Sequence, residues 1–313
     1  MTENMIKKED VMKAYDKAIE KVTDFKNDVL FKYTFGKNNE ESHKLAKIII
    51  SGVFRFKIKK LTILNPELIP ERVNDRNMIL DIRVVTESGK EINIEMQNSS
   101  LTQSERYRFQ IYGGRMLSSQ EKRGTKRYSN NNVHEVYQII LINDINKKHL
   151  RLIDRYKMKN DEDEYEDDTL LNRAYVYIPY INITAKSKKI EEFSDVEKAI
   201  YILANGVSDD IIKSEVGKLM NDKMEKFNQD EELQLMAFNR NLKKASIEAD
   251  MQDMYDQGVI EGKLIMLQSL IMNKYGLDES KWLKTLDLKQ LEKVTEEILK
   301  DITLEKLKNK INK

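Results

Sequence analysis

Two acidic residues interrupt apolar strand patterns on either side of one short turn. Asp81 lies in the run 77–85, and Glu95 lies in the run 91–97. Both runs are rich in Ile, Val, Leu and Met, which is typical of β-strands. A carboxylate at such a position is costly unless a cation or a hydrogen-bond donor stabilises it. The two acids are therefore the first candidates for chemistry in this chain.

The turn between the strands decides whether the two acids face each other. A three-residue loop over 87–89, with Gly89 in the left-handed conformation, places Asp81 directly opposite Glu95. A two-residue Ser-Gly turn would shift the register by one residue and send the acids to opposite faces. Directly opposed Cβ atoms lie roughly 4.5–5.5 Å apart, so the first register requires a cation between the carboxylates.

The acid-bearing face of this hairpin is otherwise polar. Asn93 and Gln97 share the face of Glu95, and Arg83 shares the face of Asp81. The opposite face is predicted to be an aliphatic layer of Leu80, Ile82, Val84, Ile92, Ile94 and Met96. Mg²⁺ prefers oxygen ligands, commonly one or two carboxylates with water and substrate phosphate. The pair therefore favours a divalent-metal site; the alternative is a hairpin whose ordinary polar residues face solvent.

Composition excludes several other kinds of site. The chain has 313 residues, a formal charge of +1 and no cysteine, which removes thiolate nucleophiles and disulfides. Its histidines, His43, His134 and His149, are too scattered for a metal cluster. No Gly-rich phosphate loop, nucleophile elbow or HExxH motif occurs. Any affinity for nucleic acid must come from a local cluster of charge.

Apolar periodicity predicts an α/β region followed by helices. A short amphipathic helix is expected within 1–22, an α/β domain over 23–185 and an all-α region over 186–313. In the α/β domain we expect helices over 29–36, 40–54 and about 105–120, and strands over 55–64, 136–142 and 173–183 around the hairpin. Because no apolar run of about 18 residues or apolar signal core is present, a cytoplasmic protein that does not enter a membrane is expected.

Five short motifs occur in a recognisable order. They are Asp28–Gly36 (DVLFKYTFG), 80–84 (LDIRV), 93–97 (NIEMQ), 108–112 (RFQIY) and Gly124-x-x-x-Tyr128. This series resembles the PD-(D/E)XK nuclease family transposases, also called recombination-promoting nucleases, over about residues 24–185. The segment 256–262 also resembles the Glu-Gly repeat near the C-terminus of that family.

The resemblance implies a restriction-endonuclease-like fold, a mixed sheet flanked by helices, that cuts DNA phosphodiesters with Mg²⁺ or Mn²⁺. It makes Asp81 the first metal ligand, Glu95 the second acid and the carbonyl of Met96 a third ligand. Gln97 stands where the superfamily has lysine. A neutral amide hydrogen-bonds water or phosphate but brings no charge, so slower or more metal-dependent cleavage is expected.

Other positions carry two interpretations each. Asp28 is either an auxiliary metal ligand or the N-cap of the helix that follows it. Arg108 and Tyr112 share one helical face. In one interpretation Arg108 contacts a DNA phosphate and Tyr112 positions it. In the other, Arg108 pairs with an acid and Tyr112 packs in the core. Arg106 and Arg115 on the same basic helix are expected to add sequence-independent phosphate contacts.

The function expected from these residues is metal-dependent DNA cleavage associated with recombination or mobile elements. The alternative is a catalytically degenerate nuclease fold that binds DNA or serves assembly, with Gln97 marking the loss of activity. Apolar stripes in the helical tail suggest a homodimer, which would suit cutting two strands.

Overall fold

The computed structural model describes residues 21–68, 78–120, 128–129, 132–148, 150–163 and 169–311. Residues 1–20 of the predicted helix and Gly124 of the Gly124-x-x-x-Tyr128 motif therefore lie outside the described residues. By packing, the chain divides into two units, one extending through Arg240 and the other beginning at Asn241. The boundary expected at 185 stays a prediction.

Two capped helices open the described chain, and both were predicted. Helix α1 (Asp28–Gly36) begins after Asn27, whose side chain accepts hydrogen bonds from the first-turn N–H groups. Helix α2 (Glu40–Phe54) is capped by Asn39 in the same way. Asn27, rather than Asp28, is thus the N-cap of α1, which corrects the structural role considered for Asp28.

A six-stranded mixed sheet forms the centre of the first unit. Its strands, in spatial order, are β1 (Leu61–Leu64), β4 (Ile82–Thr86), β5 (Glu91–Gln97), β6 (Val136–Ile142), β8 (Leu171–Tyr177) and β7 (Ile153–Tyr156). The β5–β6 and β6–β8 pairs are parallel, and the other pairs are antiparallel. Two short strands, β2 (Glu67–Leu68) and β3 (Met78–Ile79), pair with each other separately.

Two strand predictions need correction, and one strand was missed. The strand expected over 55–64 begins only at Leu61, because Arg55 adopts a left-handed conformation (φ 63°) that ends α2. The strand expected over 173–183 ends at Tyr177, and a 3₁₀ turn containing Pro179 replaces its last part. The edge strand β7 was not predicted, because its four residues show no sustained alternation.

Helices cover both faces of the sheet. On one face α1, α2 and later helices bury a large aliphatic and aromatic core that includes Ile82, Val84, Ile92 and Ile94. On the other face lies α3 (Gln103–Ser118), which begins two residues earlier than predicted because Thr102 and Glu105 form a capping box. Phe109 of α3 packs on this face with Ile140, Ile142, Tyr175 and Tyr177. This arrangement confirms the mixed sheet flanked by helices.

The rest of the chain is helical, as predicted. The helices are α4 (Ile181–Thr184), α5 (Asp195–Asn205), α6 (Glu215–Phe227), α7 (Glu231–Tyr275), α8 (Ser280–Leu283), α9 (Leu288–Glu297) and α10 (Leu304–Ile311). Residues of α5 and α6 belong to the core of the first unit. The second unit has its own core, centred on Leu267, Ile271, Leu291 and Leu307. Within the described ranges, none of these helices combines the length and apolarity needed to cross a membrane.

Candidate active site

The β4–β5 hairpin has the register that brings the two acids together. Residues 87–89 form a three-residue loop in which the N–H of Thr86 donates to the carbonyl of Lys90 (2.9 Å). Gly89 has a φ of 83°, the left-handed conformation that this loop requires. Ile82 then pairs with Ile94, so the preceding residue, Asp81, faces Glu95. The predicted register is confirmed.

Each acid is hydrogen-bonded to the backbone beside the other. The N–H of Asp81 donates to Oε1 of Glu95 (3.2 Å), and the N–H of Met96 donates to Oδ2 of Asp81 (3.0 Å). This reciprocal pair of bonds orients both carboxylates at the same end of the hairpin. These bonds use Oδ2 of Asp81 and Oε1 of Glu95, so the second oxygen of each acid faces other partners; Oδ1 of Asp81 pairs with the ammonium of Lys32.

Glu95 is buried although the hairpin alone would expose it. Its strand partner on β6 is Ile140, which packs under α3, so α3 covers the same face. The residue is 4% exposed. Burial, together with the negative charge of Asp81, raises the pKa of Glu95 to about 8, against the attraction of Arg108. Glu95 therefore gains strongly from any cation placed between the two acids.

Leu80 does not join the aliphatic layer expected for it. Instead of packing with Ile82, it belongs to a separate cluster with Leu68, Met116 and Val136 on the α3 face. Strand β4 starts only at Ile82, and the N–H of Leu80 donates to the carbonyl of Pro66 (3.0 Å). The chain therefore bends at Asp81, and strict strand alternation does not extend through this residue.

Helix α1 brings a lysine to the acid pair. Nζ of Lys32 lies 3.1 Å from Oδ1 of Asp81 and 2.9 Å from Oδ1 of Asp28, one turn earlier on α1. The other oxygen of Asp28 pairs with Nε of Arg240 (3.2 Å). Burial alone would lower the pKa of Lys32, but attraction to Asp81 and Asp28 outweighs it and raises the pKa above its ordinary value.

Gln97 lies beside the pair with both ends of its amide engaged. Its Nε2 donates to the carbonyl of Met96 (2.9 Å), and its Oε1 accepts from Nη2 of Arg108 (3.1 Å). The Met96 carbonyl, expected as a metal ligand, thus lies at the site and accepts a hydrogen bond from the neutral amide of Gln97. Arg108 contacts the site through Gln97, and its guanidinium also stacks over the rings of Phe109 and Tyr112 (5.0 and 5.9 Å).

The family model described as PD-(D/E)XK nuclease family transposase matches residues 25–261. This chain belongs to that family. No curated protein and no solved structure matches the chain. Membership of the PD-(D/E)XK nuclease family transposases makes it a nuclease-family protein linked to mobile elements, and it accounts for the restriction-endonuclease-like sheet.

The predicted site residues of this family member do not all meet at one point. Asp81, Glu95, Met96 and Gln97 are adjacent, and Arg108 reaches them through Gln97. The remaining predicted residues lie around this group; they are Asp28, Arg106, Tyr112 and Arg115. Asp28 is joined to Asp81 through Lys32. Tyr112 is half-buried on α3, and burial raises the pKa of its hydroxyl.

The two outer arginines lie further along the surface of α3. The guanidinium of Arg106 lies over the ring of Tyr175 (5.6 Å) and is exposed to solvent. Arg115 is half-buried one turn before the end of the helix. Both lie on the basic helix that the sequence predicted, and in the structure that helix covers the acid pair.

The donor set of the acid pair fits a divalent cation of the Mg²⁺ type. It offers two carboxylates and the Met96 carbonyl, all oxygen ligands, and Mg²⁺ takes one or two carboxylates and completes its shell with water and phosphate. The high pKa of Glu95 marks a carboxylate that lacks a full positive partner. Across the described ranges, no three His, Cys, Asp or Glu side chains come together as a metal cluster. Asp28 as an auxiliary ligand therefore stays a prediction.

Lys32 is the site residue that sequence reasoning missed. It is part of the Asp28–Gly36 motif, and its position four residues after Asp28 places both on one helical face. That spacing was a usable signal. Its contact with Asp81, 49 positions away in the chain, was not visible without the packing of α1 against the sheet.

Proposed function

We propose that the protein is a Mg²⁺-dependent DNA endonuclease acting in recombination or mobile-element movement, with Mn²⁺ as an alternative ion. The observation that supports this most is the reciprocal pair formed by Asp81 and Glu95 at the end of the β4–β5 hairpin. Two carboxylates held face to face, one of them deeply buried, are stable as anions only with a shared cation. Family membership supplies the reaction class.

The reaction is hydrolysis of a phosphodiester. Water adds to phosphorus, one P–O bond breaks, and the products are a phosphomonoester and a hydroxyl. Asp81, Glu95 and the Met96 carbonyl would hold the ion, which when bound lowers the pKa of water and offsets charge on the phosphate. The N–H of Met96 keeps the Asp81 carboxylate in position, so the ligand geometry is set before substrate arrives.

The arginines of α3 would hold the DNA backbone. Arg108 lies nearest the acid pair, held through Gln97 and stacked on Tyr112. Arg106 and Arg115 extend the positive charge along the same helix. Contacts of this kind read phosphate rather than base, so binding is expected to weaken steeply with salt.

We further propose a cytoplasmic homodimer formed through α7. Ile247, Met251 and Met254 are 49%, 65% and 71% exposed, and helical spacing places them on one face. Gly258 and Gly262 continue that face and have nothing within 4 Å of where a Cβ would lie. A second copy packing on this exposed apolar stripe, formed by Ile247, Met251 and Met254, would bury it and supply a second active site for the other DNA strand.

The decisive test is Asp81→Asn in a plasmid-nicking assay with and without Mg²⁺. Because the amide is neutral and offers the ion a single oxygen, nicking of supercoiled plasmid should fall by about 1,000-fold or more while the fold is retained. Calorimetric titration with Mn²⁺ should show loss of the binding isotherm in the same variant. The matched control is Asp209→Asn, since Asp209 is an exposed acid remote in sequence from the hairpin.

Undiminished nicking by Asp81→Asn would contradict the assignment. A wild-type protein that binds DNA but neither cleaves it nor takes up Mn²⁺ would instead support the degenerate nuclease fold. Cleavage by wild type that persists in excess chelator would reject metal dependence.

A further inference from the structure

The site contains a positive charge that does not come from the position where the superfamily carries its lysine. Gln97 occupies that position, is neutral, and has its amide engaged with the Met96 carbonyl and Arg108. Lys32 approaches from α1, with Nζ 3.1 Å from Asp81. An ammonium therefore lies at the acid pair even though the hairpin itself does not supply one.

Helix α1 gives this ammonium a rigid support. Leu30, Phe31 and Phe35 are 0–1% exposed in the main core, so the helix is anchored on both sides of Lys32. Asn27 caps the helix, and Asp28 holds Nζ at 2.9 Å. The lysine side chain is still 35% exposed, so the charge is positioned by the fold and is open to an incoming anion.

We infer that Lys32 is the phosphate-contacting lysine of this active site, replacing the charge that Gln97 lacks. The inference rests on the proposed nuclease function. A phosphate brought to Asp81 by a bound divalent ion would lie within reach of an ammonium already 3.1 Å from that carboxylate, on a stem of four flexible carbons. There the charge stabilises the negative charge that develops on the phosphate, and Asp28 keeps the ammonium in position.

A purely structural role for Lys32 makes different predictions. If the lysine only neutralised Asp28 and Asp81, its removal would destabilise the fold and loosen the acid pair. If it contacts phosphate, its removal would leave the acids free to bind metal, because a competing cation has gone from Asp81. Metal affinity and catalytic rate should then respond in different directions.

The test compares Lys32→Met, Lys32→Arg and the double variant Lys32→Met/Gln97→Lys with wild type. The control is Lys44→Met, a lysine on α2 whose partner is the exposed Glu215. Four quantities are measured: single-turnover plasmid cleavage in Mg²⁺, affinity for a fluorescent DNA duplex in Ca²⁺ and in chelator, Mn²⁺ affinity by calorimetry, and the thermal unfolding midpoint. Ca²⁺ serves for binding because it takes the same oxygen ligands.

We expect Lys32→Met to slow cleavage about 100-fold and to weaken duplex binding in Ca²⁺ but not in chelator. Its Mn²⁺ affinity should equal or exceed that of wild type. Lys32→Arg should lose less of the cleavage rate. The double variant Lys32→Met/Gln97→Lys should cleave about tenfold faster than Lys32→Met, because the hairpin then supplies a positive charge. Lys44→Met should behave as wild type in all four measurements.

Wild-type rates in Lys32→Met would overturn the inference, as would a joint fall in Mn²⁺ affinity and unfolding midpoint. A wild-type protein that binds duplex but never cleaves would refute the proposed nuclease activity alone. The Ca²⁺-dependent difference in duplex binding between wild type and Lys32→Met would then decide the role of Lys32. A wild type that neither binds nor cleaves DNA would overturn both.

Discussion

At the scale of single residues, the buried carboxylate of Glu95 controls how the site binds protons and metal ions. Glu95 is 4% exposed, and Oε1 accepts one hydrogen bond, from the N–H of Asp81. The pKa-lowering effects of Asn93, of that bond and of the nearby Arg108 do not offset burial and the repulsion from Asp81, which together raise the pKa of Glu95 to about 8. The residue is thus primed to exchange its proton for a metal ion near neutral pH.

This pKa makes folding stability depend on pH in the absence of divalent ions. The pKa of Glu95 rises from an ordinary 4.5 to about 8 on folding, so between those values the folded protein binds more protons than the unfolded chain. The free energy of unfolding should therefore fall as pH rises from about 5 to 8, by a few kcal/mol at most. Glu95→Gln should remove this slope and be more stable than wild type at pH 8.

Urea unfolding in chelator at several pH values measures the effect. Glu232→Gln, which changes an exposed acid on α7, is the control and should follow wild type. Added Mg²⁺ should stabilise wild type at pH 8 and leave Glu95→Gln nearly unchanged, because the ion binds the folded acid pair. Parallel pH curves for wild type and Glu95→Gln would contradict the buried, charged-pair description.

At the scale of elements, the close packing of α3 on the sheet is what buries Glu95. The contact depends on Gly113, where a Cβ would lie 2.6 Å from Cδ1 of Leu171 and 2.9 Å from Oε1 of Gln138. Gln138 has little freedom to move: its amide donates to the carbonyl of Phe109, and Oε1 accepts two bonds from Arg173. The absence of a side chain at Gly113 therefore sets the helix-to-sheet distance.

Two adjacent glycines allow this packing to be tested within one helix. Gly113→Ala should lower the free energy of unfolding by about 1–3 kcal/mol, because α3 must move away from Gln138. Gly114→Ala is the matched control, since nothing lies within 4 Å of its Cβ position. It should raise helix stability by about 0.5–1 kcal/mol. Denaturant titration measures the free energy of unfolding of both variants. Equal changes in the two variants would contradict the close packing of α3 on the sheet at Gly113.

Displacement of α3 should also change the geometry of the active site. Arg108 and Tyr112 lie on the same helix, and Arg108 contacts Gln97. Gly113→Ala is therefore expected to reduce nuclease activity more than its loss of stability alone would explain.

At the scale of the whole molecule, the chain has two separately packed units, and α7 contributes residues to both. In the second unit, one face of α7 is covered by Leu283, Leu291 and other residues of its core. The stripe on another face is exposed, although a monomer gains nothing from apolar side chains in solvent. Assembly of two copies along this stripe is the proposed explanation.

The dimer is tested with charges placed on the stripe. Met251→Glu/Met254→Glu should convert a dimer into a monomer in sedimentation or light scattering, because two copies would bury four added charges. Ala245→Glu/Ala249→Glu adds the same charges on the opposite side of the helix and should leave the dimer intact. A wild type that is monomeric at all concentrations tested would reject the proposal.

The sequence by itself determined the features whose causes are local. The residues of the turn limited the hairpin to two registers, and the three-residue loop with left-handed Gly89 is the one that brings Asp81 to Glu95. Alternating and helical apolar patterns were enough for the helices and most strands, although the N-cap of α1 is Asn27 rather than the Asp28 considered from the sequence. Each of these signals acts over a few residues, where turn geometry and capping bonds leave little choice.

Only the tertiary structure decided what surrounds the acid pair. The burial of Glu95 under α3, the bend that turns Leu80 to the α3 face and the approach of Lys32 to Asp81 all join segments distant in the chain. Such contacts depend on how closely whole elements pack, which is fixed by the volumes of many side chains together. No spacing of residue types along one segment carries that information.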